Sequence, residues 1–219
     1  MTTDQYKAII FDLDGTLVDS AADVGDAANR VMAASGYPEH PTSAYYRFMG
    51  DGVYELMRRV LPEDARSPET VSAAVQAFFQ EYDGNWHHRS RPYPGIPELL
   101  DELAQRGVLL SVLSNKPHRF TTAFIDRFLP KHRFAAVYGQ RDGVPRKPDP
   151  AGALEIADRL GLSPKAFLFL GDTPTDMKTA TAAGMHPVGA CWGFRSAGEL
   201  SSAGGRTLID HPRNLLRLF

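Results

Sequence analysis

Cysteine is almost absent from this chain. Cys191 is the only one in 219 residues. A single thiol excludes an intrachain disulfide framework and any zinc site built from several cysteines. Because such a chain suits a reducing compartment, the sequence predicts a cytoplasmic protein.

Long apolar runs and an excess of charge of one sign are also missing. Hydrophobic residues make up 43% of the chain, but no run approaches the length of a membrane-spanning helix. The first residues lack the basic start and apolar stretch of a signal peptide. With a net charge of −2, the chain offers no basic field for nucleic acid or an anionic membrane. We therefore expect a soluble protein without nucleic-acid or membrane partners, and no pattern indicates an oligomeric state.

The apolar spacing changes twice along the chain. Residues 8–11 form an apolar run typical of a strand buried on both faces. Three stripes at helical spacing follow, and residues 91–95, which include two prolines and a glycine, mark a boundary. Predicted helices and strands then alternate, which favours a doubly wound parallel sheet. The sequence thus predicts an α/β core over 1–16 and 91–219, with a helical insert over 17–90.

The alternating part of the core has eight predicted elements. Helices are predicted at 97–106, 117–128, 150–160 and 174–183. Strands are predicted at 108–113, 134–138, 166–170 and 187–191.

Two carboxylates and a glycine follow the first predicted strand. Side chains two residues apart in an extended segment point the same way, so Asp12 and Asp14 can offer oxygens to one cation while Gly15 permits a sharp turn. An aspartate beside a divalent metal can attack phosphorus and form an aspartyl-phosphate. A local turn at the strand end explains the same residues equally well.

Ser114 and Asn115 follow another predicted strand and precede a predicted helix. Free amides at a helix start and a hydroxyl group suit phosphate oxygens. Serine and asparagine also favour helix caps for purely local reasons. On these residues alone both interpretations stay open.

Lys147 lies in a loop in which prolines flank Asp149. A rigid loop can hold an ammonium over a negative centre and stabilise charge that develops in a transition state. A solvated surface lysine is the alternative hypothesis.

Asp172 and Asp176 follow a third predicted strand. Asp172 can complete a metal site with the first acidic pair. Asp176 either supports that site or stabilises the start of a helix in which Thr173 is the N-cap. Two carboxylates 4 Å apart repel by about 4 kcal/mol at an effective dielectric near 20. The cluster therefore needs a cation, and its hard oxygen ligands favour Mg²⁺ over zinc.

Taken together, the four segments resemble the four motifs of haloacid dehalogenase superfamily phosphatases in order and spacing. The segments are residues 12–17, 114–115, 147–148 and 171–176. The helical insert resembles the small cap of that superfamily. The resemblance implies a nucleophile at Asp12 and a general acid and base at Asp14, with Mg²⁺ held by Asp12, Asp172 and the backbone carbonyl of Asp14. Since dehalogenating members lack an acid at the position of Asp14, it disfavours a dehalogenase.

The resemblance also implies which residues bind the substrate phosphate and which support them. Asp176 is expected to position Lys147 or metal-bound water. The expected phosphate contacts are Gly15, Thr16, Gly50, Ser114, Asn115 and Lys147.

Segments around these motifs resemble phosphoglycolate phosphatases in particular. They include residues 48–57, 93–95, 114–117 and 192–194. The resemblance implies hydrolysis of a small phosphorylated metabolite, 2-phosphoglycolate, by a phosphoric monoester hydrolase. A pyrophosphatase, a sugar-phosphate phosphatase or a phosphomutase of the same superfamily are alternatives, and a receiver-like phospho-accepting module is a further one.

Overall fold

The first strand, β1 (Ala8–Phe11), runs through the centre of a six-stranded sheet. The computed structural model describes residues 6–219. All four residues of β1 are fully buried, as expected for a strand with parallel neighbours on both sides and helices over both faces. Residues 1–5, on which the expectation about a signal peptide rests, lie outside the described residues.

The other strands extend the sheet to both sides of β1. A short ribbon pairs β2 (Val18–Asp19) with β3 (Arg91–Pro92). The remaining strands are β4 (Leu109–Pro117), β5 (Ala136–Gln140), β6 (Phe167–Gly171), β7 (His186–Ala190) and β8 (Thr207–Ile209). The order of the large sheet is β5-β4-β1-β6-β7-β8, and its five neighbouring pairs are all parallel. The predicted doubly wound fold is confirmed.

This strand order fixes where a ligand would bind. The chain adds β4 and β5 on one side of β1 and then returns to add β6, β7 and β8 on the other. Open α/β sheets bind ligands outside the carboxyl ends of their strands, at the point where the order reverses. In this sheet that point is the carboxyl end of β1.

The described chain divides into two compact units. One comprises the chain up to Val18 together with Pro92–Phe219, and the other is Asp19–Arg91. The smaller unit contains α1 (Ala21–Ala34), α2 (Thr42–Phe48), α3 (Val53–Val60) and α4 (Pro68–Asp83), with a 3-10 turn at Glu63–Ala65. The sequence predicted three helices here, and the short α2 was missed. It is only seven residues long, and Tyr45 is its one buried residue.

The larger unit contains the remaining helices. They are α5 (Ile96–Gln105), α6 (His118–Phe128), α7 (Ala151–Arg159), α8 (Pro174–Ala182) and α9 (Ala197–Ser202). Two further 3-10 segments lie at Pro164–Ala166 and Pro212–Leu218. Apolar side chains of α7 and α8 form a common core with Ile10 and Phe169 of the sheet.

Most predicted boundaries agree with these elements to within one or two residues. The largest differences are at β4, predicted to end at 113 but extending to Pro117, and at β5, which is shifted by two residues. The ladder between them is irregular between Leu113 and Pro117 and resumes with Pro117 opposite Gln140. Ser114 and Asn115 therefore lie in an extended segment and not at a helix start.

A buried carboxylate links the beginning and the end of the smaller unit. Asp23, in the first turn of α1, is only 2% exposed. Its oxygens accept hydrogen bonds from the backbone N–H groups of Arg89 and Ser90 at 2.9 and 2.7 Å, and from the Ser90 hydroxyl at 2.6 Å. One side chain thus holds the last residues of the unit against its first helix.

Replacing Asp23→Ala should leave the backbone N–H groups of Arg89 and Ser90 without this acceptor, whereas the Ser90 hydroxyl keeps the carbonyl of Trp86 at 3.2 Å. We expect the free energy of unfolding to fall by about 2 kcal/mol or more, since an unpaired buried donor costs about 1–3 kcal/mol. Urea denaturation measures it. Asp26→Ala is the control, because it removes only an exposed ion pair with Arg89 and should change stability much less. Equal effects of the two variants would contradict this role.

Candidate active site

The carboxyl ends of three neighbouring strands bring the predicted motifs together. Asp12 follows β1 directly, and Asp172 follows β6 directly. Ser114 lies near the end of β4. Because β4, β1 and β6 are adjacent and parallel, these side chains lie at one edge of the sheet. Segments about 160 residues apart in the chain are therefore neighbours in space.

Three buried carboxylates form the centre of this edge. Asp12, Asp172 and Asp176 each offer an oxygen, and these oxygens lie within 4.8 Å of one another. Their exposed fractions are 5%, 0% and 0%. Such a group of like charges is unstable unless positive charge balances it.

Lys147 supplies part of that charge. Its Nζ lies 2.9 Å from Asp12 Oδ1 and 2.6 Å from Asp176 Oδ1. Nζ also donates a hydrogen bond to the carbonyl of Leu113 at 3.0 Å, and the residue is only 4% exposed. The alternative of a solvated surface lysine is wrong.

Asn115 fixes the backbone of Lys147. Its Oδ1 accepts a hydrogen bond from the Lys147 N–H at 2.9 Å, and its Nδ2 donates one to the Lys147 carbonyl at 3.1 Å. Helix capping does not explain Ser114 or Asn115, because the N-cap of α6 is Pro117 and no side chain caps it. The predicted phosphate contacts of both residues stay predictions.

Both hypotheses for Asp176 describe part of its role. Oδ2 accepts hydrogen bonds from the N–H and the hydroxyl of Thr173 at 3.0 and 2.6 Å, which completes a capping box at the start of α8. Oδ1 is the atom that contacts Lys147. Because one oxygen serves each purpose, the helix start aims this carboxylate at the lysine.

Asp172 is held by groups that the motif analysis did not assign to it. The Thr16 hydroxyl donates to Oδ1 at 2.9 Å, and the N–H of Phe194 donates to Oδ2 at 2.8 Å. A Cβ at Gly15 would collide with Oδ2 of Asp172, and Gly15 has a φ of +87°. Both facts require glycine at this turn. Phe194 carried no local sequence signal for this contact.

The carboxylate of Asp14 contacts a lysine other than Lys147. Its two oxygens are 3.1 and 3.2 Å from Nζ of Lys116, a lysine that the sequence analysis did not single out. Among residues 6–219, the side-chain group able to hold a metal contains Asp176 where the strand-end pattern suggested Asp14. That the carboxylates of Asp12 and Asp14 face one cation stays a prediction, as does the predicted metal contact of the Asp14 carbonyl.

Two other predicted phosphate contacts differ in their surroundings. Thr16 is fully buried, and its carbonyl accepts a hydrogen bond from the Trp192 indole N–H at 3.0 Å. Gly50 belongs to the smaller unit, in the loop between α2 and α3, with a φ of +119°. Contacts of either residue with a phosphate stay predictions.

Burial and charge shift the pKa values of this cluster strongly. Burial, partly opposed by Lys147, raises the pKa of Asp12 from its ordinary 3.8 to about 7. Burial and repulsion from Asp12 and Asp176 raise the pKa of Asp172 well above its ordinary value. Burial would lower the pKa of Lys147, but the two adjacent carboxylates outweigh it and raise that pKa. One ammonium therefore does not balance all three acids.

The donor set fits a divalent cation that prefers oxygen. All three side chains are carboxylates, and raised acid pKa values show that further positive charge would be favourable. Mg²⁺ suits such ligands, and zinc prefers nitrogen or sulfur.

A family model described as haloacid dehalogenase-like hydrolase matches residues 9–190. The chain therefore belongs to this hydrolase family. The matched range includes every strand end that forms the acidic cluster.

Relatives of this hydrolase match most of its length. A phosphoglycolate phosphatase from Mesorhizobium japonicum is 34% identical over 188 residues, which cover 85% of this chain and 83% of that protein. One from Vibrio cholerae is 31% identical over 217 residues, covering 97% and 96%. The structure of a predicted phosphoglycolate phosphatase from Haemophilus somnus has a TM-score of 0.90 at 27% identity, covering 98% of each chain. A haloacid dehalogenase-like family hydrolase from Streptococcus pneumoniae has a TM-score of 0.88 at 25% identity, covering 97% of this chain and 98% of the other.

Within residues 6–219, no helix of this hydrolase has both the length and the apolar character needed to cross a bilayer.

Metal binding should depend on pH in a defined direction. Because the pKa of Asp12 rises from 3.8 to about 7 on folding, the metal-free folded protein binds more protons than the unfolded chain between these values. Its stability should therefore fall as pH rises through this window. Mg²⁺ competes with those protons, so it should raise the melting temperature more at about pH 8 than at about pH 5.

Thermal unfolding with Mg²⁺ or with a chelator measures this difference. Asp172→Asn should reduce the Mg²⁺-dependent shift, whereas Asp142→Asn, at an exposed position, should leave it unchanged. A shift that survives in Asp172→Asn would place the metal elsewhere.

Proposed function

We propose that this hydrolase cleaves a small phosphate monoester, 2-phosphoglycolate, through a phosphorylated Asp12. The observation that carries the proposal is the contact of Lys147 Nζ with both Asp12 and Asp176, beside the buried Asp172. This arrangement supports a nucleophilic role for Asp12, with a fixed cation and candidate metal ligands beside it at the edge of the sheet where ligands bind.

The site supports a two-step displacement. An oxygen of Asp12 forms a bond to phosphorus as the bond from phosphorus to the leaving oxygen breaks, and Asp14 donates a proton to that oxygen. Water then attacks phosphorus, Asp14 takes a proton from it, and the bond to Asp12 breaks, which releases phosphate. The first step leaves Asp12 phosphorylated and Asp14 deprotonated, and the second step restores both residues.

Each charged side chain has a separate part in this scheme. Lys147 stabilises negative charge on the transferring group and favours the ionised form of Asp12 against the effect of burial. Bound by Asp12, Asp172 and the carbonyl of Asp14, Mg²⁺ would supply further positive charge there. Asp176 positions Lys147 through their 2.6 Å contact.

Family membership and named relatives support the reaction class and the substrate. The relatives named as phosphoglycolate phosphatases cover nearly the whole chain at about 30% identity, which favours a phosphoric monoester hydrolase with a small anionic substrate. The proposal has two further parts. The Asp19–Arg91 unit acts as the family's cap, and the enzyme works in the cytoplasm.

A substrate panel tests the proposed specificity. Phosphate release should be faster with 2-phosphoglycolate than with pyrophosphate, hexose phosphates and p-nitrophenyl phosphate, judged by kcat/KM in the presence of Mg²⁺. Equal rates on all esters would reject 2-phosphoglycolate, and an isomerised sugar phosphate without free phosphate would indicate a mutase.

Asp12→Asn should abolish turnover while the fold persists. Loss of a covalent nucleophile lowers kcat by about 10⁶-fold in a well-studied hydrolase, so we expect at most trace phosphate release. Circular dichroism checks the fold, and Asp142→Asn is the matched control at an exposed aspartate. Substantial activity in Asp12→Asn would contradict covalent catalysis. A stable phosphorylated wild-type protein that never turns over would favour a receiver-like module.

A further inference from the structure

A second buried lysine lies at the same edge of the sheet as Lys147. Lys116 is near the end of β4, and its side chain is only 6% exposed. Its Nζ contacts both carboxylate oxygens of Asp14, at 3.1 and 3.2 Å. Charge-assisted contact with both oxygens holds the end of this carboxylate at the ammonium.

Lys116 is itself held in place along its length. Its N–H donates to the Ser114 hydroxyl at 3.2 Å, and its carbonyl accepts a hydrogen bond from Thr121 at 3.1 Å. Its Nζ lies 4.3 Å from the ring centroid of Phe124, a cation–π contact. These contacts fix the position of the ammonium beside Asp14.

The two lysines contact different carboxylates. Lys147 contacts Asp12 and Asp176, and Lys116 contacts Asp14. No motif in the sequence assigned a role to Lys116. Its contact is with the residue that transfers protons in the proposed reaction.

We propose that Lys116 is a positioning residue that orients the carboxylate of Asp14 for proton transfer. This inference rests on the proposed function.

Proton transfer by a correctly placed group contributes about 10²–10⁴-fold to a rate, and a misplaced group loses much of this. An alkyl leaving group needs the proton from Asp14, whereas nitrophenolate leaves without one. The effect of losing Lys116 on the rate of the first step should therefore depend on the leaving group.

Rapid-quench measurement of the first turnover tests this dependence. In Lys116→Met we expect the first turnover of 2-phosphoglycolate to slow by about 10²-fold, with a change of no more than a few-fold for p-nitrophenyl phosphate. Hydrolysis of the phosphorylated intermediate also needs Asp14, so p-nitrophenyl phosphate should give a burst of nitrophenolate followed by slow turnover.

Three further variants distinguish positioning from other roles. Lys116→Arg keeps the charge and should recover part of the 2-phosphoglycolate rate. In an Asp14→Asn background, Lys116→Met should have little additional effect on the first turnover. Lys131→Met, at an exposed lysine, should change neither rate. Lys116→Gln, which keeps a donor of similar size, repeats the test if Lys116→Met fails to fold.

Other outcomes overturn the inference. Equal slowing with both esters would indicate a general structural role. A higher KM with unchanged kcat would make Lys116 a substrate ligand. Unchanged kinetics would leave it without a catalytic effect. Failure of the proposed function is separately visible, because the wild-type protein would then release no phosphate from any ester.

Discussion

Charge balance at the carboxyl edge of the sheet is the constraint on which the rest of the site depends. Asp12, Asp172 and Asp176 are nearly inaccessible to water and lie close together. Two such charges 4 Å apart repel by about 4 kcal/mol even at an effective dielectric of 20. Lys147 offsets part of this repulsion, and the raised pKa values of two of the acids show that part of it remains. The site is therefore suited to bind one more cation.

Much of the surrounding structure keeps the charged groups in place. Asn115 fixes the backbone of Lys147 with two hydrogen bonds. Thr173 turns Asp176 toward the lysine by forming the cap of α8. Gly15 leaves room for Asp172, which a Cβ would strike. Local contacts at turns and helix caps thus position charged groups that are far apart in the sequence.

The fold and the acidic motifs could be predicted from the sequence because their signals are local. Apolar runs, helical spacing and glycines indicated the alternating elements, and Asp12, Asp172 and Lys147 stood next to predicted strand ends or loops. The extension of β4 through Ser114 could not be predicted, because it depends on pairing with β5. The ion pair between Lys116 and Asp14 joins residues 102 positions apart. The contact of Phe194 with Asp172 involves only a backbone N–H, which no residue type reveals.

Mapping of the phosphorylated residue, with and without Lys147, tests the central claim most directly. The wild-type protein and Lys147→Met would be mixed with substrate, quenched in acid and digested, and the phosphoryl group located by mass spectrometry. The charge-balance account predicts a phosphoryl group on Asp12 in the wild-type protein and none detectable in Lys147→Met at the same time point. A phosphoryl group on another residue, or equally rapid labelling of Lys147→Met, would contradict it.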